Sequence, residues 1–318
     1  MNICGTGSSL PKFELDNQRL TTFLDTSDEW ITTRTGIHTR RVITDETLLG
    51  MGLEAGAKAL EDSGLEAKDI DFILCSTVQA DTVTPSLACL IQAGLGAQCA
   101  GVDINGACAG FVYALDLAGA LIDSGRARHV LVVCAEAMSR LCDWTDRSTC
   151  VLFGDGAGAA VCGPGEGYLR ARLTSRGDGE IMYMRPNPGN SPFATAAQPY
   201  APMHMAGQEV YKFAVSTVPK DLLALLEGAG LTPDQVDHYL LHQANKRILD
   251  AVRTRLRQGE EKFPSNIHCR GNTSSASLAI LLDELNRAGH FRKGDLLALS
   301  AFGAGLTTGS CLLKWTKE

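Results

Sequence analysis

A chain of 318 residues, 45% of them hydrophobic and 20% charged, can bury a large core as one large domain or two similar-sized units. Its net charge of −7 and pI near 5.5 argue against general nucleic-acid binding, so a polyanionic partner would have to meet a local basic patch. The start MNICGTGSSLP has no basic opening and no long apolar run, and the eleven cysteines are scattered without a CxxC pair, so a signal peptide, a membrane anchor and a disulfide framework are disfavoured and a cytoplasmic address with reduced thiols is expected.

Short β-rich runs alternate with segments of helical period. In chain order the pattern predicts a strand at 2–8, a helix at 47–63, a strand at 70–78, a helix at 85–96, a strand at 100–105 and a helix at 108–123. Strands follow at 129–136, 149–153, 157–163 and 167–175. The segment 177–204, rich in Pro, Gly and Asn and without a period, reads as a surface loop crossing between halves. A helix at 207–229, a strand at 237–243, helices at 245–258 and 273–288, and strands at 295–301 and 309–315 complete an α/β chain with largely buried strands.

The second half repeats the first. Leu60, Glu61, Gly64, Leu65, Asp71 and Leu74 fall without a gap on Leu226, Glu227, Gly230, Leu231, Asp237 and Leu240. The unit starting CAGFVYAL matches the one starting NTSSASLA, with Gly125 over Gly289, and FGDGAGAAVC (153–162) matches FGAGLTTGSC (302–311). Two halves follow, 1–166 and 167–318. Cys108 then superposes on Asn272, each at a helix start, and His242 stands at the strand end that matches Ser76. A pseudo-twofold molecule would bring Cys108, His242 and Asn272 to one centre.

A thiol at a helix N-terminus feels the positive end of the dipole, which favours thiolate, and has backbone N–H groups available to an oxyanion. Cys108 is therefore a candidate nucleophile, with a buried structural cysteine as the alternative. Its small neighbours Gly106, Ala107, Ala109 and Gly110 suit a sharp strand-to-helix turn and leave room beside the sulfur. His242 is a catalytic candidate or a structural histidine, and Asn272 a hydrogen-bond donor or a plain N-cap. GDGAGAA (154–160) contains GxGxG but joins two predicted strands and opens no helix, so it reads as a tight turn rather than a dinucleotide site.

Six stretches in this order, DEWITTRTGI (28–37), ACAGF (107–111), DRSTCVLFGDGAGAAV (146–161), HQANKRI (242–248), GNTSSAS (271–277) and AFGAGLTTG (301–309), resemble the 3-oxoacyl-[acyl-carrier-protein] synthase III family. The likeness runs over essentially the whole chain. It implies a thiolase fold, an internally duplicated five-layered αβαβα arrangement, working as a homodimer. It also implies the initiating condensation of type II fatty-acid synthesis: Cys108 takes an acyl group from acyl-CoA, and decarboxylating malonyl-acyl carrier protein attacks the acyl-enzyme, with no metal and no permanently bound cofactor. His242 and Asn272 would hydrogen-bond the malonyl thioester oxygen, and the backbone N–H groups of Cys108 and Ala304 would hold the oxyanion. The family usually has glycine at the latter position.

The same resemblance assigns CoA or phosphopantetheine contacts to Trp30, Arg34, Thr35, Arg147, Gly207, Tyr211 and Asn245; flat indole and guanidinium groups suit a purine face. The helix ANKRILDAVRTRLRQ carries Lys246, Arg247, Arg253, Arg255 and Arg257 against one Asp250, which suits docking of the acidic carrier protein or, alternatively, a solvated helix face. The expected acyl pocket includes Thr84, Phe302 and Thr308. Relatives tend to have larger aromatics at both threonines, the one at position 84 reaching across the dimer to close the partner's acyl pocket, so Thr84 and Thr308 predict room for starters longer or more branched than acetyl. A cysteine protease also orders Cys, His and Asn this way, but CGSCW is absent and no Gln lies between Gly101 and Ala107. The closer rivals are an acyltransferase, or a condensing enzyme of a secondary-metabolite pathway, that uses another acceptor, and a non-catalytic acyl-CoA-binding relative.

Overall fold

The computed structural model describes residues 1–187 and 199–318. Through the first half run β1 (Asn2–Ser9), β2 (Glu14–Asp16), α1 (Asn17–Leu20), α2 (Asp28–Thr35), β3 (Thr39–Arg41), α3 (Leu48–Ser63), β4 (Phe72–Ser76), α4 (Leu87–Leu95), β5 (Ala100–Ile104), α5 (Gly110–Asp123), β6 (Val130–Ala137) and β7 (Asp155–Gly163). The second half holds β8 (Tyr168–Asp178), β9 (Met182–Arg185), β10 (Ala201–Met205), α6 (Gly207–Gly228), β11 (His238–Leu241), α7 (Lys246–Leu256), α8 (Ile267–Arg270), α9 (Ala276–Arg287), β12 (Leu296–Gly303) and β13 (Gly305–Lys314).

Two main sheets form, of order β1-β7-β6-β4-β5 and β8-β13-β12-β11. Their pairings repeat: β1–β7 and β8–β13 are antiparallel, as are β6–β7 and β12–β13, while β4–β6 and β11–β12 are parallel. Only β5 lacks a counterpart among the described strands. The central strands β6 and β12 are buried at every residue, which explains their near-continuous apolar sequences.

Five layers stack as α3/α4, first sheet, α5/α9, second sheet, α6/α7. The middle layer shares one apolar cluster with both sheets, running from Phe111 and Leu115 on α5 through Ile280 and Leu282 on α9 to Leu297 and Leu299 on β12. This is the duplicated thiolase architecture. None of the described helices is long and apolar enough to cross a membrane.

Three expectations change. Residues 149–153 are not a strand: the Thr149 and Cys150 N–H groups donate to Asp146 O, curling the apolar run into turns that bury Cys150 and Val151. Only Phe153 bridges, to Asn272. The segment read as a crossing loop contains the antiparallel hairpin β9–β10; of it, 188–198 lies outside the described residues. The glycines of GDGAGAA lie in and just before β7 rather than in a turn between strands.

The turn at 149–153 is held by a residue that no motif pointed to. Arg40, fully buried, donates from Nη1 to Leu15 O and Asn17 Oδ1 and from Nη2 to Val151 O, and burial lowers its pKa to about 10. Next along, Asn272 N donates to Leu152 O and Gly154 N to Asn272 O. Arg40 thus supports the backbone on which Asn272 hangs. We expect Arg40→Met, which orphans three buried oxygens, to cost about 3 kcal/mol of unfolding free energy in urea titrations.

Candidate active site

Cys108 sits on a tight 3₁₀ turn, 107–109, between β5 and α5, one residue before the Ala109 N-cap. The turn needs Ala107 at φ 47°, a left-handed conformation tolerated by a small residue. It also needs close neighbours without side chains. A Cβ on Gly303, at the end of β12, would stand 2.6 Å from the Cys108 nitrogen, and one on Gly110 would stand 1.9 Å from Ser76 Oγ. Small residues therefore let the nucleophile turn wedge between the sheets.

The electrostatics differ from the dipole expectation. Burial pushes the Cys108 thiol up to about 12, opposed by a hydrogen bond with Ser274 and by its own backbone N–H, and reinforced by the charge of Glu136. The thiol donates to Ser274 Oγ at 3.5 Å. Burial therefore favours the thiol and works against the pull of the helix N-terminus towards thiolate.

His242 follows β11, with 2% of its surface exposed. Its N–H donates to Ser300 O at 2.8 Å, and its Nδ1 lies 2.7 Å from Ser277 Oγ. The Phe302 ring packs on the imidazole edge at 5.5 Å between centroids, and burial lowers the His242 pKa to about 3, so the ring is neutral. Asn272 is not the N-cap of α9; that position is Ser275. Its Oδ1 accepts the Ser274 N–H at 2.9 Å, which turns the Nδ2 end outward as a donor with no hydrogen-bond partner among the described residues.

Cys108, His242 and Asn272 line one cleft of about 850 Å³. Trp30, Arg34, Thr35, Gly207, Tyr211, Asn245, Arg247 and Phe302 line it too. Arg147 stands at its edge, its guanidinium 5.0 Å from the Trp30 ring, while Arg34 lies 4.5 Å from the same ring. Asn245 caps α7 through the Arg247 N–H and donates to Arg34 O, joining the basic helix to α2.

Cys108 also lines a second cavity, of about 400 Å³, behind the turn. Met138, Leu141, Met182, Met184, Met203 and Phe153 belong to its apolar lining, and Ala304 lines it too. Sequence reasoning missed this methionine set. The alternation in IMYMR and APMHM, two apolar rows of a hairpin, was the available signal.

The expected acyl-pocket residues do not form this wall. Thr308 is buried elsewhere, donating to Asp221 Oδ2 at 2.7 Å and sharing a hydrogen bond with Thr174 Oγ1 at 2.6 Å, because its hydroxyl satisfies a buried carboxylate. Thr84, expected to reach the partner's pocket across the dimer, lies on an exposed loop of this chain, its neighbour Val83 touching the cavity. Phe302 belongs to the cleft. Of the basic helix, Lys246 is paired with Asp250 at 2.6 Å and Arg253 approaches the same carboxylate at 4.0 Å. Arg247, over the Tyr211 ring, and the exposed Arg257 make no ion pair among the described residues.

Two family models match the chain: 3-oxoacyl-[acyl-carrier-protein (ACP)] synthase III over 102–177 and its C-terminal counterpart over 226–315. A beta-ketoacyl-[acyl-carrier-protein] synthase III from Caldanaerobacter subterraneus is 45% identical, covering 99% of this chain and 98% of the relative. Among solved structures, the 3-oxoacyl-[acyl-carrier-protein] synthase III of Aquifex aeolicus superposes with a TM-score of 0.92 at 41% identity, covering 99% of both chains. The priming beta-ketosynthase of the R1128 polyketide pathway gives 0.94 at 38%, covering 99% of this chain and 96% of its own.

Gly303→Ala should displace the nucleophile turn more than it unfolds the protein. The expected result is a loss on the order of a hundredfold in the rate at which iodoacetamide alkylates Cys108, read by peptide mass, with a folded circular-dichroism spectrum.

Proposed function

The chain belongs to the 3-oxoacyl-[acyl-carrier-protein] synthase III family, and from this we propose that it condenses an acyl-CoA starter with malonyl-acyl carrier protein, yielding 3-oxoacyl-acyl carrier protein, CoA and carbon dioxide. This is the initiating step of type II fatty-acid synthesis. The observation that carries the reading is the position of Cys108 at the meeting of two cavities, one shared with His242 and Asn272, the other with a set of methionines. A sulfur there can hold an acyl chain behind it while a second thioester approaches from the front.

In the first half-reaction Cys108 Sγ bonds to the acyl carbonyl carbon, the bond to the CoA sulfur breaks, and the thiol proton leaves with CoA. The backbone N–H groups of Cys108 and Ala304 would receive the oxyanion; the Ala304 N–H makes no hydrogen bond among the described residues. In the second, the malonyl carboxylate leaves as carbon dioxide and its electron pair passes into the thioester enolate. A Ser277 hydroxyl donating to Nδ1 puts the proton of neutral His242 on Nε2, so His242 and the Asn272 Nδ2 both offer hydrogen to that oxygen. The enolate carbon then bonds to the acyl carbonyl, and Cys108 departs as a thiolate that takes up a proton from solvent. Each step moves bonds among sulfur, carbon and oxygen, so the scheme calls for no metal or permanently bound cofactor.

The second cavity supports a starter longer or more branched than acetyl, on its methionine lining rather than on Thr308. Methionine side chains are unbranched and polarizable and adapt to irregular guests. The stacked Trp30, Arg34 and Arg147 support a site for the CoA base, and the unpaired Arg247 at the cleft mouth supports contact with acidic carrier protein; Lys246, Arg253 and Arg257 would extend it along α7. A homodimer is supported by β5, an edge strand with Val102 exposed. A cytoplasmic address is supported by eleven free cysteines. The likeness to a polyketide priming enzyme keeps a second reading, the same condensation in a secondary-metabolite pathway.

Mixing the enzyme with acyl-CoA should add one acyl mass, and Cys108→Ser should abolish it; an unmodified wild-type mass would refute the acyl-enzyme. Across acetyl-, isobutyryl- and octanoyl-CoA, the larger starters should acylate faster, and a clear acetyl preference would contradict the cavity argument. With malonyl-acyl carrier protein present, carbon dioxide and 3-oxoacyl product should appear together, whereas acyl transfer without decarboxylation would point to an acyltransferase.

A further inference from the structure

Asn272 is held by its backbone, and that backbone is held by a side chain the reaction scheme leaves idle. The Asn272 N–H donates to Leu152 O at 2.9 Å and its carbonyl accepts the Gly154 N–H at 3.0 Å, so the carboxamide goes where residues 152–154 go. Those residues belong to no strand. Immediately before them, Val151 O accepts from Arg40 Nη2 at 2.6 Å.

Arg40, the middle residue of β3, touches this segment along its whole length. A Cβ on Gly271, the residue before Asn272, would stand 3.2 Å from the Arg40 Cβ, and so would one on Gly154. Its Nη1 donates to Leu15 O at 3.3 Å and to Asn17 Oδ1 at 2.8 Å, so one planar fork serves oxygens from three separate segments. All three are neutral, and Nε finds no partner among the described residues. A buried cation among neutral groups is less stable than an apolar side chain of similar volume, so packing alone does not account for it. Asn17, 1% exposed, extends the connection: its Nδ2 donates to Asp28 Oδ1 and to Ile37 O, each at 2.8 Å. Asp28 opens α2 and Ile37 lies just past its end, so the same pair grips the helix that brings Trp30, Arg34 and Thr35 to the cleft. The Cys108 turn receives none of these bonds; it packs on Ser274 and Gly303 instead.

We propose that Arg40, braced by Asn17, is a positioning residue for the condensing half-reaction: it fixes the 151–154 backbone so that Asn272 keeps its Nδ2 aimed at the oxygen of the malonyl thioester. Arg40 touches no substrate and acts only through Asn272. Its loss therefore strikes decarboxylation harder than acyl transfer to Cys108. This role rests on the function proposed above.

The test is a double-mutant cycle on the second half-reaction. Wild type, Arg40→Lys, Asn272→Ala and the double variant are acylated to completion by acyl-CoA, checked by intact mass, and mixed with malonyl-acyl carrier protein, and carbon dioxide release is followed over one turnover. In Arg40→Lys, release should slow on the order of a hundredfold more than acylation at saturating acyl-CoA does. In the Asn272→Ala background the same substitution should change release by no more than about twofold, because the group it positions is gone. A further loss in that background as large as in the wild type overturns the proposal, and so does an equal slowing of both half-reactions, the mark of a merely loosened fold. Should Arg40→Lys fail to fold, Asn17→Ser goes through the same cycle, since it removes the brace and keeps the Arg40 bonds to Leu15 and Val151. A loss on the order of tenfold is expected there, absent without the Asn272 carboxamide; an additive loss refutes the role. A wild type that acylates but releases no carbon dioxide marks failure of the proposed condensation itself, seen before any variant is compared, and this role falls with it.

Discussion

Two turns meet at the centre of this molecule, and the rest is arranged so that they can. One carries Cys108 and begins α5; the other carries Ser274 and begins α9. They touch at 3.5 Å although 166 residues separate them. Each contains a small residue in the left-handed region, Ala107 at φ 47° and Ser274 at φ 50°. The contact requires the two middle-layer helices to start from the same place, which in turn requires both sheets to deliver strand ends there. Chain duplication supplies both conditions at once, since the second half repeats the strand order and the direction of pairing of the first.

Much of this could be read from residues alone, because it follows from pattern. Strands buried on both faces are continuous apolar runs, as in VLVVCAEA and LLALSAFG, and the repeated helix-to-strand unit registers without a gap. The register was good but not perfect. Matching Gly125 to Gly289 puts Cys108 on Asn272, yet α5 and α9 begin at Gly110 and Ala276, which puts Cys108 opposite Ser274. The two helices differ in length, so agreement at their ends does not carry back to their starts.

What stayed hidden depends on long-range packing. Nothing local distinguishes the buried Arg40 from a surface arginine; only the convergence of Leu15, Asn17 and Val151 on its guanidinium does. Thr308 reads as a pocket residue because relatives tend to have a larger aromatic there, but a strand residue faces one side only, and this one faces Asp221. The Met-lined cavity borrows its walls from β9, β10 and the turn after β6, so no single stretch announces it. Residues 149–153 misled by composition, since an apolar run folded into turns is as buried as one in a strand.

Two guanidinium groups, of Arg34 and Arg147, already lie over the Trp30 ring, 4.5 and 5.0 Å from its centroid, before any visitor arrives. On the function proposed above, a purine stacking on that indole would share it with a flat cation or displace one. A pantetheine arm tethered to a protein brings no base, and would leave those two contacts as they are. One doorway can thus admit two kinds of caller in turn and respond differently to each, without a second doorway having to be built.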